Sequence, residues 1–416
     1  FRTGWVEGVK LYATKAGHIY RICVKPYGYG KGIYIAHNDG TISVYGHLRD
    51  FTPDVEEYVK KERYRKESGS IDIFPSPAQF PVSKGQLVGY SGNSGNSFGP
   101  HLHFEVRDAK TNRTRNVIAR GYYKVADNIK PVIHSVSYYV VDTVRGVPFH
   151  TLAAKVAAVS RGNGRYELAA PVKAPGRGYF TVETHDRKNN TSFNMAAYRI
   201  RMDVDSVQRF EFIMDAFDYT QTRYAQTVAQ YTDNLKSKYD VYRLAVQGDG
   251  GRLPFYGKVV NRGVIDPSRD KSINISVEDD NGNVSELGFT IEYAPFLYLD
   301  TISIPTGAVP VDYRREFRRT SDSLTVVIPA NALYESIFYT HKRLPQAPQI
   351  DGAQNAVVLS DFYEVHNTDT PIHSSVKLSI RADVPEEMRP KLLLARVVPG
   401  KAPSKFVSAV KASYKD

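Results

Sequence analysis

The segment that most constrains the fold is residues 99–106, Gly-Pro-His-Leu-His-Phe-Glu-Val, in which polar and apolar side chains alternate. Because successive side chains of a β-strand point to opposite faces, this alternation predicts a strand with one polar and one buried face. His101, His103 and Glu105 then share the polar face, directly after a glycine-rich loop. Two imidazoles held side by side on a rigid strand form a platform suited to metal binding or catalysis. We interpret Glu105 either as a hydrogen-bond acceptor that orients a histidine or as a solvated carboxylate at the strand end.

Composition indicates a mostly β protein with several domains. The chain has 416 residues, which at roughly 100–200 residues per domain corresponds to two to four domains. Aromatic residues make up 12% of the chain and include 29 tyrosines, a composition that fits half-buried pleated sheets. The single cysteine, Cys23, excludes an intrachain disulfide and lies in a predicted strand, so we expect a buried thiol.

The net charge of the chain narrows the classes of binding partner that we expect. The formal net charge of +11 favours anionic partners in general, such as nucleic acid, acidic lipid or anionic cell-wall polymer. The densest basic run, residues 60–66, is interrupted by glutamate and predicts a solvated helix face, so we predict no nucleic-acid partner. No apolar stretch approaches the roughly 18 residues of a membrane span, so we predict no span in this chain. The sequence begins with Phe1 rather than Met, and we expect a trimmed or processed N-terminus.

Local patterns predict a hairpin and a helical insertion in the first 125 residues. Two alternating runs within residues 32–48 flank Asn-Asp-Gly at residues 38–40, a strong turn signal. A helix is then predicted to begin after Thr52 as N-cap, with Pro53 in the first turn and acidic residues near the positive helix end. The insertion, about residues 52–81, is interpreted either as a cover for the sheet edge or as a wall of a substrate groove.

The remaining residues predict β-sandwich (Ig-like) modules. Residues 127–131 are expected to form a linker, and short β runs separated by turn residues follow it. Residues 182–190 and 277–283 resemble each other as an internal repeat. Each segment ends a predicted strand in a turn that is rich in Asp and Asn. The predicted domains are an N-terminal β domain at 1–125, β-sandwich modules at 126–205 and 206–295, and a third β-rich module at 296–416.

Three blocks of the N-terminal region resemble the lysostaphin-type (LytM-like) zinc metalloendopeptidases. They are Gly-Tyr-Gly-Lys-Gly-Ile-Tyr-Ile-Ala-His at residues 28–37, Ser-Val-Tyr-Gly-His-Leu at 43–48, and the segment 91–106 that ends in His-Leu-His-Phe-Glu-Val. The resemblance covers about residues 1–125. It implies an antiparallel β peptidase domain with zinc as cofactor and peptidoglycan peptides as substrate.

The resemblance also assigns roles to three histidines. The family binds zinc through the His and Asp of a His-x-x-x-Asp motif together with the second His of His-x-His, which is His103 here. His47 and His101 match the family's catalytic histidines, which orient or deprotonate the attacking water and stabilise the tetrahedral intermediate. No His-x-x-x-Asp motif precedes His47, so we expect the other two zinc ligands just upstream of Phe1.

Three functional hypotheses follow from the sequence, one of which assigns the main function to the C-terminal modules as binders of partner proteins or glycans; the other two concern the N-terminal domain. The first is a zinc-dependent endopeptidase that cleaves peptide cross-links of bacterial peptidoglycan, located in the periplasm or cell envelope. The second is a catalytically inactive peptidase-like protein that binds or regulates envelope partners, with the β modules as docking surfaces. A His-x-x-x-Asp motif upstream of Phe1 favours the enzyme, and its absence favours the binding protein.

Overall fold

The structure is a computed structural model that describes residues 1–248, 253–295, 304–321, 323–344, 350–351, 357–398 and 404–414. It is built mostly from antiparallel β-sheets, as the sequence predicts. Among the described residues, parallel pairing is restricted to three short contacts: β12 (Arg165–Leu168) and β13 (Val172–Ala174) against β21 (Val284–Tyr293), and β27 (Ile350–Asp351) against β31 (Ser404–Lys411). Within the described residues, no helix has the length and apolar character needed to cross a membrane.

The N-terminal domain is one sheet with a single long helix. Its central strands follow the order β9-β8-β4-β3-β2-β5, while β7 pairs with both β4 and β1, and β6 pairs with β2. The elements are β1 Lys10–Tyr12, β2 Gly17–Val24, β3 Lys31–His37, β4 Thr41–Phe51, α1 Pro53–Arg65, β5 Ile71–Ile73, β6 Pro81–Val82, β7 Leu87–Ser91, β8 His103–Asp108 and β9 Thr114–Arg115.

The predicted hairpin is strands β3 and β4. Its turn places Gly40 at φ +75°, a conformation that favours glycine, and the Asp39 carboxylate accepts hydrogen bonds from the backbone and hydroxyl of Thr41. His37, the last residue of β3, lies within 2.9 Å of both the Ala16 carbonyl and the Ser43 hydroxyl. His37 therefore fixes the hairpin.

The sheet of this domain has two packed faces. One carries the larger core, which includes Ile33, Ile35 and Leu48 and which α1 covers with Val55 and Val59. The other face carries a small cluster: Cys23, Tyr34, Ile42 and Val44, with Tyr29 packed against it. The Cys23 thiol is buried, as predicted.

The helical insertion packs away from the histidines. Helix α1 begins directly after Thr52, as predicted, although the Thr52 side chain makes no capping hydrogen bond. The helix covers the larger core, toward which Leu102 and Phe104 of the His-x-His strand also point. The insertion then pairs as β5 with β2 at the far edge of the sheet. Helix α1 is therefore not a groove wall, because its apolar face is buried on the side of the sheet opposite the histidines, while for the rest of the insertion the groove-wall interpretation stays a prediction.

The middle of the chain forms one body rather than two modules. Strand β15 forms a hairpin with β16 across the turn at Asp205 and Ser206, both at positive φ, and β14 pairs with β18. One hydrophobic core contains residues from Ile133 to Ile291. The elements are β10 Val132–Val144, β11 Val147–Ser160, β12, β13, β14 Gly178–His185, β15 Arg199–Val204, β16 Val207–Ile213, β17 Ala216–Phe217, α2 Ala225–Val228, α3 Tyr231–Lys236, β18 Asp240–Arg243, β19 Tyr256–Val259, β20 Lys271–Glu278 and β21.

This architecture corrects the boundary predicted at residue 205. That boundary falls in a two-residue turn between paired strands, where separation into two cores is impossible because β15 also pairs with β20. The segment consists of short strands with turn signals, and these local patterns are the same whether one or two cores are built. The prediction missed the pairing of strands distant in sequence.

In its described residues, the C-terminal region contains four small sheets, three of which contribute side chains to a separate core. That core includes Val311, Leu324, Val326 and Tyr339. The predicted strands at 325–328 and 376–380 correspond to β24 and β29, whereas the predicted start of the module, residues 296–303, lies outside the described residues. The elements are β22 Val309–Val311, β23 Phe317–Thr320, β24 Leu324–Ile328, β25 Ile337–Tyr339, β26 His341–Leu344, β27, β28 Phe362–Val365, β29 Lys377–Ile380, β30 Leu393–Val398 and β31.

The middle body is joined to the N-terminal sheet. Strand β17 pairs antiparallel with β9, and the Asn116 backbone amide donates to the Asp215 carbonyl at 2.8 Å. Arg120 forms an ion pair with the Asp215 carboxylate. The sheet that carries the histidines is thus extended by a strand that lies about 100 residues further along the chain.

Candidate active site

His47 occupies a strained position in the middle of β4. Its φ is +60°, a value that is uncommon for residues other than glycine, and it lies where the register between β3 and β4 shifts. Its backbone amide donates to the Tyr29 carbonyl at 2.8 Å, and its Nδ1 lies 2.8 Å from the Ser94 carbonyl. Since a carbonyl only accepts, Nδ1 carries the proton and Nε2 presents a lone pair. Burial, followed by the neighbouring His101 and His103, lowers the pKa of His47.

The glycine-rich loop brings the Ser94 carbonyl to His47. A Cβ atom on Gly95 would lie 2.3 Å from the Gly30 nitrogen, and one on Gly30 would lie 2.4 Å from the Ser94 carbonyl carbon. The two backbones therefore touch, and both glycines adopt positive φ. The Ser94 hydroxyl donates to the Leu48 carbonyl at 2.7 Å, which fastens the loop to β4. This close approach of two backbones explains why glycine occupies positions 30 and 95.

His101 lies beside His47 at the end of the same loop. The two ring centroids are 4.8 Å apart. The Nδ1 atom of His101 lies 2.9 Å from the Gly99 carbonyl and 3.2 Å from the Ser97 hydroxyl, so this nitrogen also carries the proton. Both imidazoles are thereby held in the tautomer that leaves Nε2 free to accept a proton.

His103 is held by a buried carboxylate. Its Nε2 lies 2.6 Å from Glu105 Oε1, and its ring centroid is 5.7 Å from that of His47. Glu105 is 3% exposed, so the solvated strand-end interpretation is wrong and the histidine-orienting interpretation fits. Because the ionised carboxylate accepts the Nε2 proton, Nδ1 is the nitrogen of His103 that keeps a lone pair.

Glu105 is the acceptor on which several donors of the site converge. Arg107 Nε donates to Oε2 at 2.8 Å, as does the Thr114 hydroxyl, and the Tyr29 hydroxyl donates to Oε1. Burial opposes the charge of Glu105, but the hydrogen bonds from His103 and Arg107 outweigh it and hold the pKa of Glu105 below its usual range. Glu105 therefore stays ionised and keeps His103 in one orientation.

The sequence interpretation missed four contributors to this site: Tyr29, Arg107, Thr114 and Tyr219. Tyr219 follows β17 of the middle body, and its hydroxyl lies 2.8 Å from Glu105 Oε1. The Arg107 guanidinium lies 5.0 Å from the centre of the Tyr219 ring. Tyr29 lies inside one of the sequence blocks of the family resemblance and Arg107 directly follows another, so both could have been considered. No local signal marks Tyr219, which is 114 residues from Glu105.

The arrangement fits one ligand of a zinc site and two proton acceptors. Metal-binding histidines commonly donate their second ring N–H to a carboxylate, as His103 does to Glu105. A catalytic zinc ion needs three protein ligands and an open position. Among the described residues, the three imidazoles do not by themselves bring three ligand nitrogens close enough to share an ion. His103 can therefore supply one ligand, and the described chain does not contain the other two.

Comparison with known proteins places the N-terminal domain in a peptidase class. The family model of Peptidase family M23 matches residues 77–116, the segment that contains the glycine loop, His101 and His103. A second family model, described as a Zu5-like domain, matches residues 308–411. The N-terminal domain is accordingly a LytM-like peptidase domain of the M23 type.

A curated relative covers the same part of the chain. The DD-carboxypeptidase/endopeptidase Mpg of Neisseria meningitidis serogroup B is 32% identical over 80 residues, which are 19% of this chain. The chain spans 13% of the length of that relative.

Two solved structures show limited likeness. A mutant catalytic domain of the prophage-encoded M23 protein EnpA from Enterococcus faecalis is 24% identical, with 24% of this chain and 61% of that chain covered and a TM-score of 0.18. The lysostaphin catalytic domain from Staphylococcus simulans is 22% identical, with 28% and 74% covered and a TM-score of 0.21. These TM-scores are too low to define a relationship for the whole chain.

Proposed function

We propose that the N-terminal domain is a zinc-dependent endopeptidase that hydrolyses peptide cross-links of bacterial peptidoglycan in the periplasm or cell envelope. The observation that carries this proposal is the 2.6 Å contact between His103 Nε2 and the buried Glu105, which leaves Nδ1 available as a ligand. The sequence match to a DD-carboxypeptidase/endopeptidase supports the substrate class. The net charge of +11 is compatible with an anionic wall.

The two remaining zinc ligands are proposed to lie upstream of Phe1. Arg2 bridges antiparallel to His101, and the Leu102 amide donates to the Phe1 carbonyl at 3.0 Å. In this register, a residue preceding Phe1 would lie opposite His103. A His-x-x-x-Asp motif in that position would bring an aspartate beside the one ligand that the chain supplies.

The proposed chemistry divides between zinc and two histidines. When bound, zinc supplies Lewis acidity that polarises the scissile carbonyl and acidifies water. In this scheme the Nε2 lone pairs of His47 and His101 can accept a proton from the attacking water, and an imidazole that has gained this proton can then donate a hydrogen bond to the developing oxyanion. Tyr29 and Arg107 hold Glu105 and have no proton to transfer in this scheme.

The test is metal analysis of the gene product, including residues encoded upstream of Phe1. Wild type is expected to bind one zinc ion per chain and His103→Ala to bind none, while His18→Ala, a histidine on β2 in the same domain, keeps its zinc. Muropeptide cleavage should follow the same pattern. Stoichiometric zinc in His103→Ala contradicts the ligand assignment. A wild-type protein that binds muropeptides without zinc and without cleavage supports the non-catalytic binding protein instead.

A further inference from the structure

A group of buried carboxylates lies where the peptidase domain leads into the middle body. Asp127 lies in the segment between the two, Asp186 directly follows β14, and Asp279 directly follows β20. One carboxylate oxygen from each of the three lies within 4.8 Å of the others. Their side chains are 0%, 2% and 1% exposed, respectively. The two Asp/Asn-rich turns of the internal repeat in the sequence thus meet around the segment that joins the peptidase domain to the middle body, which we call the interdomain segment.

Lys188 is the cation beside these three carboxylates, and it also contacts a fourth, Asp280. Lys188 Nζ lies 3.2 Å from Asp127, 3.9 Å from Asp186, 3.8 Å from Asp279 and 2.5 Å from Asp280. Within the part of the chain that the structure describes, Lys188 is the one Lys or Arg that forms an ion pair with any of these four carboxylates. If all four carboxylates were ionised, one ammonium would leave three negative charges without a counter-charge, and burial of uncompensated charge is costly.

Asp186 contributes a buried carboxylate oxygen that has no hydrogen-bond donor. Asp127 accepts hydrogen bonds from two backbone amides, and Asp279 accepts from the Asn281 and Asn283 amides. The buried Oδ1 of Asp186 has no hydrogen-bond partner, and its nearest cation is 3.9 Å from Oδ2. A buried carboxylate oxygen without a donor is costly, so it calls for a bound cation or a proton. Burial, with Asp279 and Asp127 in support, raises the pKa of Asp186 to about 7.

We propose that Asp127, Asp186 and Asp279 bind a calcium ion that clamps the interdomain segment onto the middle body. The three ligands are all carboxylates, which suit hard cations, and the three contain no imidazole or thiolate for a softer metal. The Asn281 side-chain oxygen, 2.9 Å from Lys188 Nζ, is a further oxygen at the same place. Calcium accepts six to eight oxygens in flexible geometry, which suits ligands from three separate loops better than the octahedron of magnesium.

Lys188 marks the position of the cation. Its ammonium lies among the carboxylates that the ion would contact, and its four-carbon stem is flexible enough to withdraw toward solvent. Calcium and Lys188 therefore compete for the same oxygens. Because Asp127 is one of the ligands, calcium binding is coupled to the path of the segment that connects the peptidase domain to the middle body.

The test uses the full chain after treatment with a chelator, followed by titration with CaCl₂ in a calorimeter and in thermal unfolding. One saturable calcium site is expected, together with a rise in the melting temperature of roughly 4–8 °C at saturation. Asp186→Asn should lose this response. Asp205→Asn, which removes a carboxylate from the turn between β15 and β16 in the same body, should keep it.

Lys188→Met separates the proposal from a purely structural ion-pair network. If the site binds calcium, this variant saturates at a lower calcium concentration than wild type, because the competitor is gone. If Lys188 is the permanent counter-ion, the variant is less stable and calcium does not restore its melting temperature, which overturns the proposal. The absence of saturable calcium binding to wild type up to about 10 mM, beyond the weakest affinities of extracellular calcium modules, overturns it as well.

Discussion

Substitution of Glu105 by Gln tests whether this carboxylate is the charge on which the site depends. The change preserves shape and removes the negative charge. Arg107, whose side chain is 6% exposed, then loses its carboxylate partner while it stays buried. The introduced amide NH₂ group would also face donors, since five side chains direct an N–H or O–H toward the wild-type carboxylate: His103, Tyr29, Tyr219, Arg107 and Thr114.

The magnitude follows from the contacts that remain. Removal of one partner from a buried ion pair typically costs about 3–5 kcal/mol. Arg107 keeps the Tyr29 hydroxyl at 3.2 Å and the Asn112 side-chain oxygen at 3.3 Å as acceptors. We therefore expect a cost somewhat below this range, about 2–3 kcal/mol of unfolding free energy. With a denaturant slope of about 1.5 kcal/mol/M, this lowers the urea midpoint by roughly 1–2 M.

Fluorescence of Trp5 reports on this domain alone. It is the single tryptophan of the chain, and its ring lies against Gly99, where an added Cβ would come within 2.1 Å of it. Because Trp5 is 75% exposed, its signal reports the loss of the contact with Gly99 rather than a transfer into solvent, and urea unfolding followed by selective excitation of Trp5 measures the peptidase domain without tryptophan signal from the later modules. Glu57→Gln is the matched control, because it breaks an exposed ion pair with Lys61 and should leave the midpoint unchanged.

Two results would refute this reasoning. The first is a midpoint of Glu105→Gln equal to that of the Glu57→Gln control, which would mean that the charge of Glu105 stabilises nothing. The second concerns the double variant Glu105→Gln/Arg107→Met, which no longer buries a lone guanidinium and should lose less stability than the sum of the two single variants. Additive losses would show that the two side chains are not energetically coupled.

Two further predictions concern catalysis and acid stability. His47→Ala and His101→Ala should each lower muropeptide hydrolysis by about 10²–10³-fold while zinc content, measured by mass spectrometry, stays at the wild-type level; near-normal cleavage by either variant contradicts its role. The hydrogen bond from Arg21 lowers the pKa of Asp72 to about 2, so this group stabilises the fold above pH ~4 and the contribution is lost as the pH falls toward 2. Asp72→Asn should cost about 1 kcal/mol at pH 7 after allowance for solvent screening, and the difference from wild type in Trp5-detected urea unfolding should vanish near pH 2; a difference that persists there excludes the ion pair as its cause.

Local features of the fold could be predicted because they depend on neighbours in the sequence. The β3–β4 hairpin follows from a turn whose Gly40 adopts positive φ, and α1 follows from Thr52 and Pro53 at its start. The polar and apolar faces of residues 101–106 follow from the pleat of a strand. Each of these depends on side chains within a few residues of one another.

Features that depend on distant pairing could not be predicted. The side of the sheet that α1 covers is set by where Val55 and Val59 find apolar surface, and their helical spacing is the same for either side. The division at residue 205 failed because β15 pairs with both β16 and β20. A turn sequence ends a strand in the same way whether the next strand joins the same core or begins another.

The contact between Tyr219 and Glu105 makes the candidate site a property of two domains. Glu105 orients His103, and it receives hydrogen bonds both from Thr114 on β9 and from Tyr219, which follows the strand that pairs with β9. Separation of the middle body from the N-terminal sheet would therefore remove a donor from the carboxylate that positions the histidine. A buried, ionised acceptor is sensitive to the loss of a donor, because nothing in a low-dielectric site replaces it. The geometry of His103 and the docking of the middle body are consequently coupled through Glu105. A movement between the two domains that displaces Tyr219 therefore acts on the proposed zinc ligand through this carboxylate.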